Sequence, residues 1–249
     1  MTEPTTVTAA ILVIGDEILS GRTKDKNIGY IAEYCTAIGI DVKEVRVVPD
    51  EEDEIIPALN TLRAKYGYVF TTGGIGPTHD DITTAAIARA FGVEQYRDQK
   101  TVDLFLQHYK PEDLNEQRLK MCDFPVGATL IENSISRAPG YQVENVFVLA
   151  GVPVIMQAMF QALKDRVSGG EPVKSRTIVA HMGEGDLAKG LGDVQDAHSD
   201  VEIGSYPFFR KGVMGSALVL RSADEEALTA AAQAVWELVE GLGVEPFEE

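Results

Sequence analysis

The stretch Thr71-Thr72-Gly73-Gly74-Ile75-Gly76-Pro77-Thr78-His79-Asp80-Asp81 gathers the residue types that bind phosphate. Three glycines allow a backbone to approach a ligand closely, and Thr72 and Thr78 offer hydroxyls. A helix opening after Asp81 would turn free N–H groups toward an anion. The loop lacks the Gly-Lys-Ser/Thr ending of a Walker loop and the GxGxxG spacing of a dinucleotide fingerprint. Asp80 and Asp81 stand where that helix starts, either as cap and dipole partner or as paired carboxylates for a divalent metal. Asp50, in Val48-Pro49-Asp50, projects toward the same edge, and also stands where it could cap a helix starting at Glu51. Gly15-Asp16-Glu17-Ile18-Leu19-Ser20-Gly21 forms a further acidic loop, able to take a ribose hydroxyl or a metal, or to act as a plain turn before an N-cap at Asn27. His79, His108, His181 and His198 have no ligand spacing, and only His79 falls inside a candidate loop. Cys35 and Cys122 are far apart without CxxC spacing and read as buried thiols.

The elements that must carry these loops alternate short apolar runs with helical patterns, the signature of βαβ units and a mostly parallel sheet. Strands are expected at 9–14, 42–48, 68–72 and 143–149, and helices at 27–38, 51–66, 82–91 and 154–166. In an open sheet of this kind ligands bind outside the carboxyl ends of the strands, where the loops above fall. A polar helical stretch from about 98 to 120, interrupted by Pro111, suits an excursion from the core. Ser168-Gly169-Gly170-Glu171-Pro172 is the best boundary in the chain. Beyond it a strand at 176–181, a helix at 186–197, strands at 201–206 and 213–221, and a helix at 224–242 make a βαββα unit on a small antiparallel sheet. The expected organisation is a first domain over 1–167 and a small α+β domain over 173–249.

With 249 residues, 45% hydrophobic and 24% charged, the composition is that of a folded globular protein. Its 22 basic and 39 acidic residues leave a net charge of −17, which repels phosphate backbones and anionic lipid. The nearest approach to a basic cluster is Arg22, Lys24 and Lys26. The run from Val146 to Met156, broken by Gly151 and Pro153, is well short of the ~20 residues that span a bilayer. Met1 to Thr8 is polar and acidic without a basic flank, which argues against a secretory or transit signal. The expectation is a cytoplasmic protein that binds neither nucleic acid nor membrane.

Gly15-Asp16-Glu17-Ile18-Leu19 with Gly21 and Asn27, followed by Thr72-Gly73-Gly74-Ile75-Gly76-Pro77-Thr78 with Asp80-Asp81 and Thr83, resembles the molybdopterin-binding domain shared by the MoaB/Mog and CinA proteins. Pro125-Val126-Gly127-Ala128, Asn133, Ala138-Pro139-Gly140 and Gly151-Val152-Pro153 are similar to the CinA amino-terminal branch and to the related domain of eukaryotic FAD synthases. Ala150 departs from the proline usual in CinA relatives before Gly-Val-Pro. The resemblance implies a three-layer α/β/α sheet followed by a KH-like module, and no nicotinamide-nucleotide deamidase domain. It implies a phosphate or pyrophosphate ligand at Gly15, Asp16, Glu17, Asn27, Thr72, Gly73, Gly74, Gly76, Pro77 and Thr78, with Asn133, Gly140, Gly151 and Pro153 completing the site. It also implies Asp50 and Asp81 as reacting carboxylates, Asp80 and Asp81 as ligands for Mg, Mn or Co, and a homo-oligomer. The activity implied is metal-dependent cleavage of a nucleotide pyrophosphate such as ADP-ribose or FAD. The alternatives are a molybdopterin-binding or adenylyl-transfer protein of molybdenum cofactor biosynthesis, and a ligand sensor without catalysis.

Overall fold

The computed structural model describes residues 7–210 and 212–249, apart from the side chain of Pro111. The first residues of the amino-terminal segment, 1–6, lie outside the described residues, and with them most of the stretch read for a targeting signal. The chain divides into two compact units, Met1–Gly170 and Glu171–Glu249.

In the first unit the elements run β1 (Val7–Ile14), α1 (Asp16–Leu19), α2 (Asn27–Ala37), β2 (Ile40–Val48), α3 (Glu52–Lys65), β3 (Tyr68–Thr72) and α4 (Thr83–Phe91). There follow β4 (Gln95–Arg97), α5 (Gln99–His108), α6 (Glu116–Leu119), β5 (Asp123–Pro125), β6 (Thr129–Ile131), β7 (Gly140–Val143), β8 (Val146–Leu149) and α7 (Pro153–Gln161). Six strands form one sheet in the order β2-β1-β3-β8-β7-β6. β2, β1, β3 and β8 are parallel, while β7 and β6 extend the sheet antiparallel. β1 is apolar and buried from Ala9 to Ile14 because helices cover both its faces. Ala10, Leu12 and Ile14 pack with Ile55, Leu59 and Leu62 of α3 and Ile87 of α4. Ala9, Ile11 and Val13 face Ile31 and Cys35 of α2 and Met156, Met159 and Phe160 of α7. This is the mostly parallel sheet expected from the alternation of apolar runs, in the α/β/α layering that the resemblance implies.

The chain leaves β1 toward β2 on one side and returns to β3 on the other, so strand order reverses at β1 and opens a crevice at the carboxyl ends. The loops after β1, β2, β3 and β8 all emerge there. The apolar run 143–149, expected as one strand, is a hairpin. β7 ends at Val143, Glu144 turns the chain with a φ of 49°, and β8 begins at Val146. The excursion is α5, a 3-10 turn at Pro111–Asp113, α6 and a 3-10 turn at Lys120–Cys122. Its base is clamped by pairing of β4 with β5 and by Arg97, which bonds Asp123 and Glu116. Both cysteines are fully buried, and burial pushes their thiols up to about 12, which makes them poor nucleophiles.

The second unit runs β9 (Lys174–Ala180), α8 (Glu184–Ala197), β10 (Glu202–Arg210), β11 (Val213–Ser222), α9 (Glu225–Gly241) and β12 (Phe247–Glu248). The antiparallel sheet has the order β10-β11-β9-β12, the last strand being an addition to the expected βαββα order. Ile178, Ala180, Leu218 and Leu220 pack on Leu187 of α8 and on Leu228, Ala231, Val235 and Val239 of α9. Among the described residues no helix is long and apolar enough to cross a membrane.

Candidate functional site

Gly73 leaves β3 with a φ of 106°, a left-handed conformation that disfavours a side chain. A Cβ there would lie 2.0 Å from the carbonyl oxygen of Ile14 at the end of β1, so the two loops touch through backbone. Gly74, with a φ of 66°, has equally little room, since a Cβ would meet the Thr83 hydroxyl at 2.1 Å and an Asp50 carboxylate oxygen at 3.4 Å. The turn is tied from below. The Gly73 N–H donates to Leu149 O at 3.2 Å, the Thr83 hydroxyl to Gly73 O at 3.0 Å and the Thr83 N–H to Gly74 O at 3.0 Å. The result is a rigid, side-chain-free backbone cradle at the switch point of the sheet.

Carboxylates ring this cradle. α3 has Glu51 at its N-cap without a side-chain cap bond, so Asp50 is free of the capping role that its position permits. Its Oδ2 instead accepts the Asp16 N–H at 3.0 Å, joining the loops after β1 and β2. Burial, and then the facing carboxylates of Asp16, Glu17 and Asp80, push the Asp50 carboxyl above the ordinary aspartate range, against the pull of the Asp16 N–H. Asp80 and Asp81 likewise make no cap bond to α4, whose N-cap is Ile82. Both converge on Thr78, whose hydroxyl lies 2.5 Å from Asp80 Oδ1 and 2.5 Å from Asp81 Oδ2, while its N–H donates to Asp81 Oδ2 at 2.7 Å. One hydroxyl donates one hydrogen, so the second carboxylate faces an oxygen lone pair. The Thr78 hydroxyl and Asp80's own N–H hold Asp80 below the ordinary range.

Beside the cradle lies a cavity of about 570 Å³. Its lining combines Gly73, Gly74, Gly76, Pro77, Glu17 and Asp81 with the apolar Ile75, Val152, Ile155 and Met159. The excursion roofs it through Tyr109 and Met121, and Lys120 ties that roof down by donating to Thr78 O at 3.2 Å. The Tyr109 ring is held against Phe105, with centroids 5.5 Å apart, and under the Arg118 guanidinium at 4.9 Å. A lining that joins bare glycine backbone and carboxylates with apolar side chains fits a ligand that joins a phosphate to a ring system.

The sequence and the fold are similar to those of known proteins. The family model described as "Probable molybdopterin binding domain" matches residues 10–168. The chain belongs to this family. Residues 172–248 match the model described as "FAD synthase, middle domain". A Caenorhabditis elegans protein named "Probable FAD synthase" is 33% identical over 267 residues, covering 96% of this chain and 51% of its own length. The chain thus spans about half the length of this relative. A Pyrobaculum calidifontis protein is 34% identical over 211 residues, covering 80% of each chain. Among solved structures, CinA of Thermoplasma acidophilum, titled as a protein of unknown function, has a TM-score of 0.61 and 34% identity, over 64% of this chain and 96% of its own.

The molybdopterin-binding-domain motif residues sort into four groups. Gly73, Gly74, Gly76, Pro77, Glu17, Asp81, Gly151 and Pro153 line the main cavity. Thr72 and Asn27 are buried and line a small cleft that adjoins it. Asn27 opens α2 as its first residue, where Asp25 caps by accepting the Ile28 N–H, and its own side chain donates to Gly151 O at 2.8 Å, pinning the loop after β8. Gly15, Asp16, Asp50, Thr78 and Asp80 surround the cradle without lining the cavity, and Asp16 and Glu17 sit in the short helix α1 where a loop was expected. Asn133 and Gly140 do not line it either. Asn133 is buried and organises the β6–β7 connection by bonding Ser136, Ala138 O and the Ile135 N–H. Gly140 is small because a Cβ would lie 2.5 Å from Val148 O. Ala138, from the Ala138-Pro139-Gly140 segment, lines the cavity too, and Thr23, Tyr109, Met121, Ser136 and Ile155 line it without belonging to any motif.

Proposed function

We propose that the first unit hydrolyses the phosphoanhydride bond of a nucleotide, with ADP-ribose or FAD as the substrate class and a divalent cation as cofactor. The observation that carries this reading is the placement of Asp50: one oxygen is pinned by the Asp16 N–H while the other faces the Gly74 backbone at the cradle. A carboxylate held there, with its proton affinity raised, is placed and tuned as a general base for water. The Gly73–Thr78 backbone would hold the phosphates, and the apolar side chains with Tyr109 would take the ring and exclude bulk water.

Among the described residues no three His, Cys, Asp or Glu side chains form a ready metal cage. A hard divalent cation such as Mg, however, is commonly held by one or two carboxylates and completed by substrate phosphates. The paired Asp80 and Asp81 oxygens at Thr78 fit that donor type. When bound there, the cation would neutralise charge on the phosphates. Water adds its oxygen to one phosphorus, its proton passes to Asp50, and the bridging P–O bond breaks so that the other phosphate leaves with the bridging oxygen. ADP-ribose plus water then gives AMP and ribose 5-phosphate, and FAD plus water gives AMP and FMN.

A second reading, adenylyl transfer onto a flavin or pterin phosphate, is favoured by the FAD synthase relatives and by the match of the second unit. There the attacking oxygen belongs to a phosphate instead of water. The test is incubation of the purified chain with ADP-ribose, FAD and NAD, each with Mg, Mn or Co, followed by chromatography. AMP should appear with metal, vanish with a chelator and fall about 100-fold in Asp81→Asn. Absence of AMP under every condition overturns the hydrolytic reading.

A further inference from the structure

Arg22, Lys24 and Lys26 lie in the loop between α1 and α2 of a chain with a net charge of −17. Among the described residues none of the three makes an ion pair or a side-chain hydrogen bond. Lys24 and Lys26 line a small cleft of about 40 Å³, room for roughly three waters or one phosphate-sized group. The two carboxylates of the same wall are turned to other tasks. Asp25 caps α2, and the Glu17 carboxylate folds back over Gly15, where a Cβ would meet it at 2.5 Å.

One buried polar group points independently to an anionic occupant. Thr72 is 0% exposed and lines this cleft, and among the described residues its hydroxyl, which can donate to a phosphate oxygen, has no hydrogen-bond partner. Buried polar atoms are normally satisfied, so an orphan hydroxyl at a cleft lined by two lysines marks a place where an accepting guest belongs. The cleft is also a branch of the main cavity, since Glu17, Thr23, Gly73, Gly151 and Pro153 line both.

We propose that this cleft is a second anion subsite, where Lys24 and Lys26 hold the departing phosphate of a pyrophosphate-bearing substrate while the other phosphate sits over Gly73 and Gly74 beside Asp50. The assignment of the departing group rests on the hydrolytic reading above; the anion binding itself does not. As the bridging P–O bond breaks, negative charge grows on the departing phosphate, and two unpaired ammonium groups stabilise it where it forms. The cradle thus lies between an acidic side suited to a cation and a basic side suited to the leaving group.

Calorimetry with inorganic pyrophosphate in magnesium buffer tests this. The wild-type chain should bind it, and K24A/K26A should bind about 100-fold more weakly, at about tenfold per lysine. K100A/K164A, which removes the same charge from exposed positions elsewhere, should bind as the wild type does. The wild-type affinity should also fall more steeply with added salt than that of K24A/K26A. Equal binding by K24A/K26A and wild type, or no binding by wild type, overturns the subsite. Binding lost in K24A/K26A while no nucleotide yields AMP upholds the subsite and overturns the hydrolytic reading.

Discussion

Gly73→Ala destabilises the first unit by about 3 to 5 kcal/mol, enough to shift its unfolding midpoint clearly in a urea titration. Two costs add at this residue. A φ of 106° is strained for any L side chain, and the new methyl would sit 2.0 Å from the Ile14 carbonyl oxygen. Relief requires β1 and β3 to part at their carboxyl ends, which opens the cradle, so pyrophosphate binding is lost with the stability. Gly92→Ala separates the two costs. Gly92 closes α4 with a φ of 65° and a Cβ there would meet nothing within 4 Å, so only the conformational cost of about 1 kcal/mol applies. If the two variants unfold at the same urea concentration, the close contact of the two loops is not what the glycine serves.

Asp50→Asn reduces turnover by about 100- to 10,000-fold, the range that general-base catalysis supplies, while the fold is retained. The amide keeps an oxygen to accept the Asp16 N–H but takes no proton from water. The same substitution makes the protein more stable at neutral pH. Asp50 is raised in the folded state, so the folded chain holds that proton more tightly than the unfolded chain does. The stability it contributes is complete below the unfolded value and is lost as pH rises through the higher folded value. The uncharged amide of the variant carries no such loss. The stability difference between variant and wild type therefore grows with pH across that window and stays constant above it, as paired melts from pH 3 to 8 would show. Wild-type kcat/KM should fall on the acid side at a higher pH than an ordinary aspartate gives. A variant no more stable than wild type at neutral pH contradicts the electrostatic crowding around Asp50. Retained turnover removes Asp50 from the reaction.

The cradle was legible because its constraints are local. Three glycines between a buried strand and a helix, with two threonines and two aspartates, mark where the backbone must stay bare, and the parallel order of β1, β2 and β3 brings Asp50 to the same edge. The capping reading of Asn27 failed for the opposite reason: capping is a short-range signal, whereas its bond to Gly151 O spans 124 residues. The capping readings of Asp50 and Asp81 failed similarly, since their carboxylates bond to Asp16 and Thr78 and leave the helix starts alone. Tyr109 and Met121 carried no signal, because where the 98–122 excursion docks depends on the β4–β5 clamp and on Arg97, neither of which has a periodic pattern. The β7–β8 hairpin hid inside an apolar run whose only break is Glu144-Asn145.

Hydrolysis at the cradle is tested most directly by running the reaction with ADP-ribose in water enriched in oxygen-18 and weighing the products by mass spectrometry. Attack by water beside Asp50 places one heavy oxygen on the phosphate of either AMP or ribose 5-phosphate and leaves the other product unlabelled. Phosphates that all stay unlabelled, with the adenylyl group found on another acceptor, would contradict the account and establish transfer in place of hydrolysis.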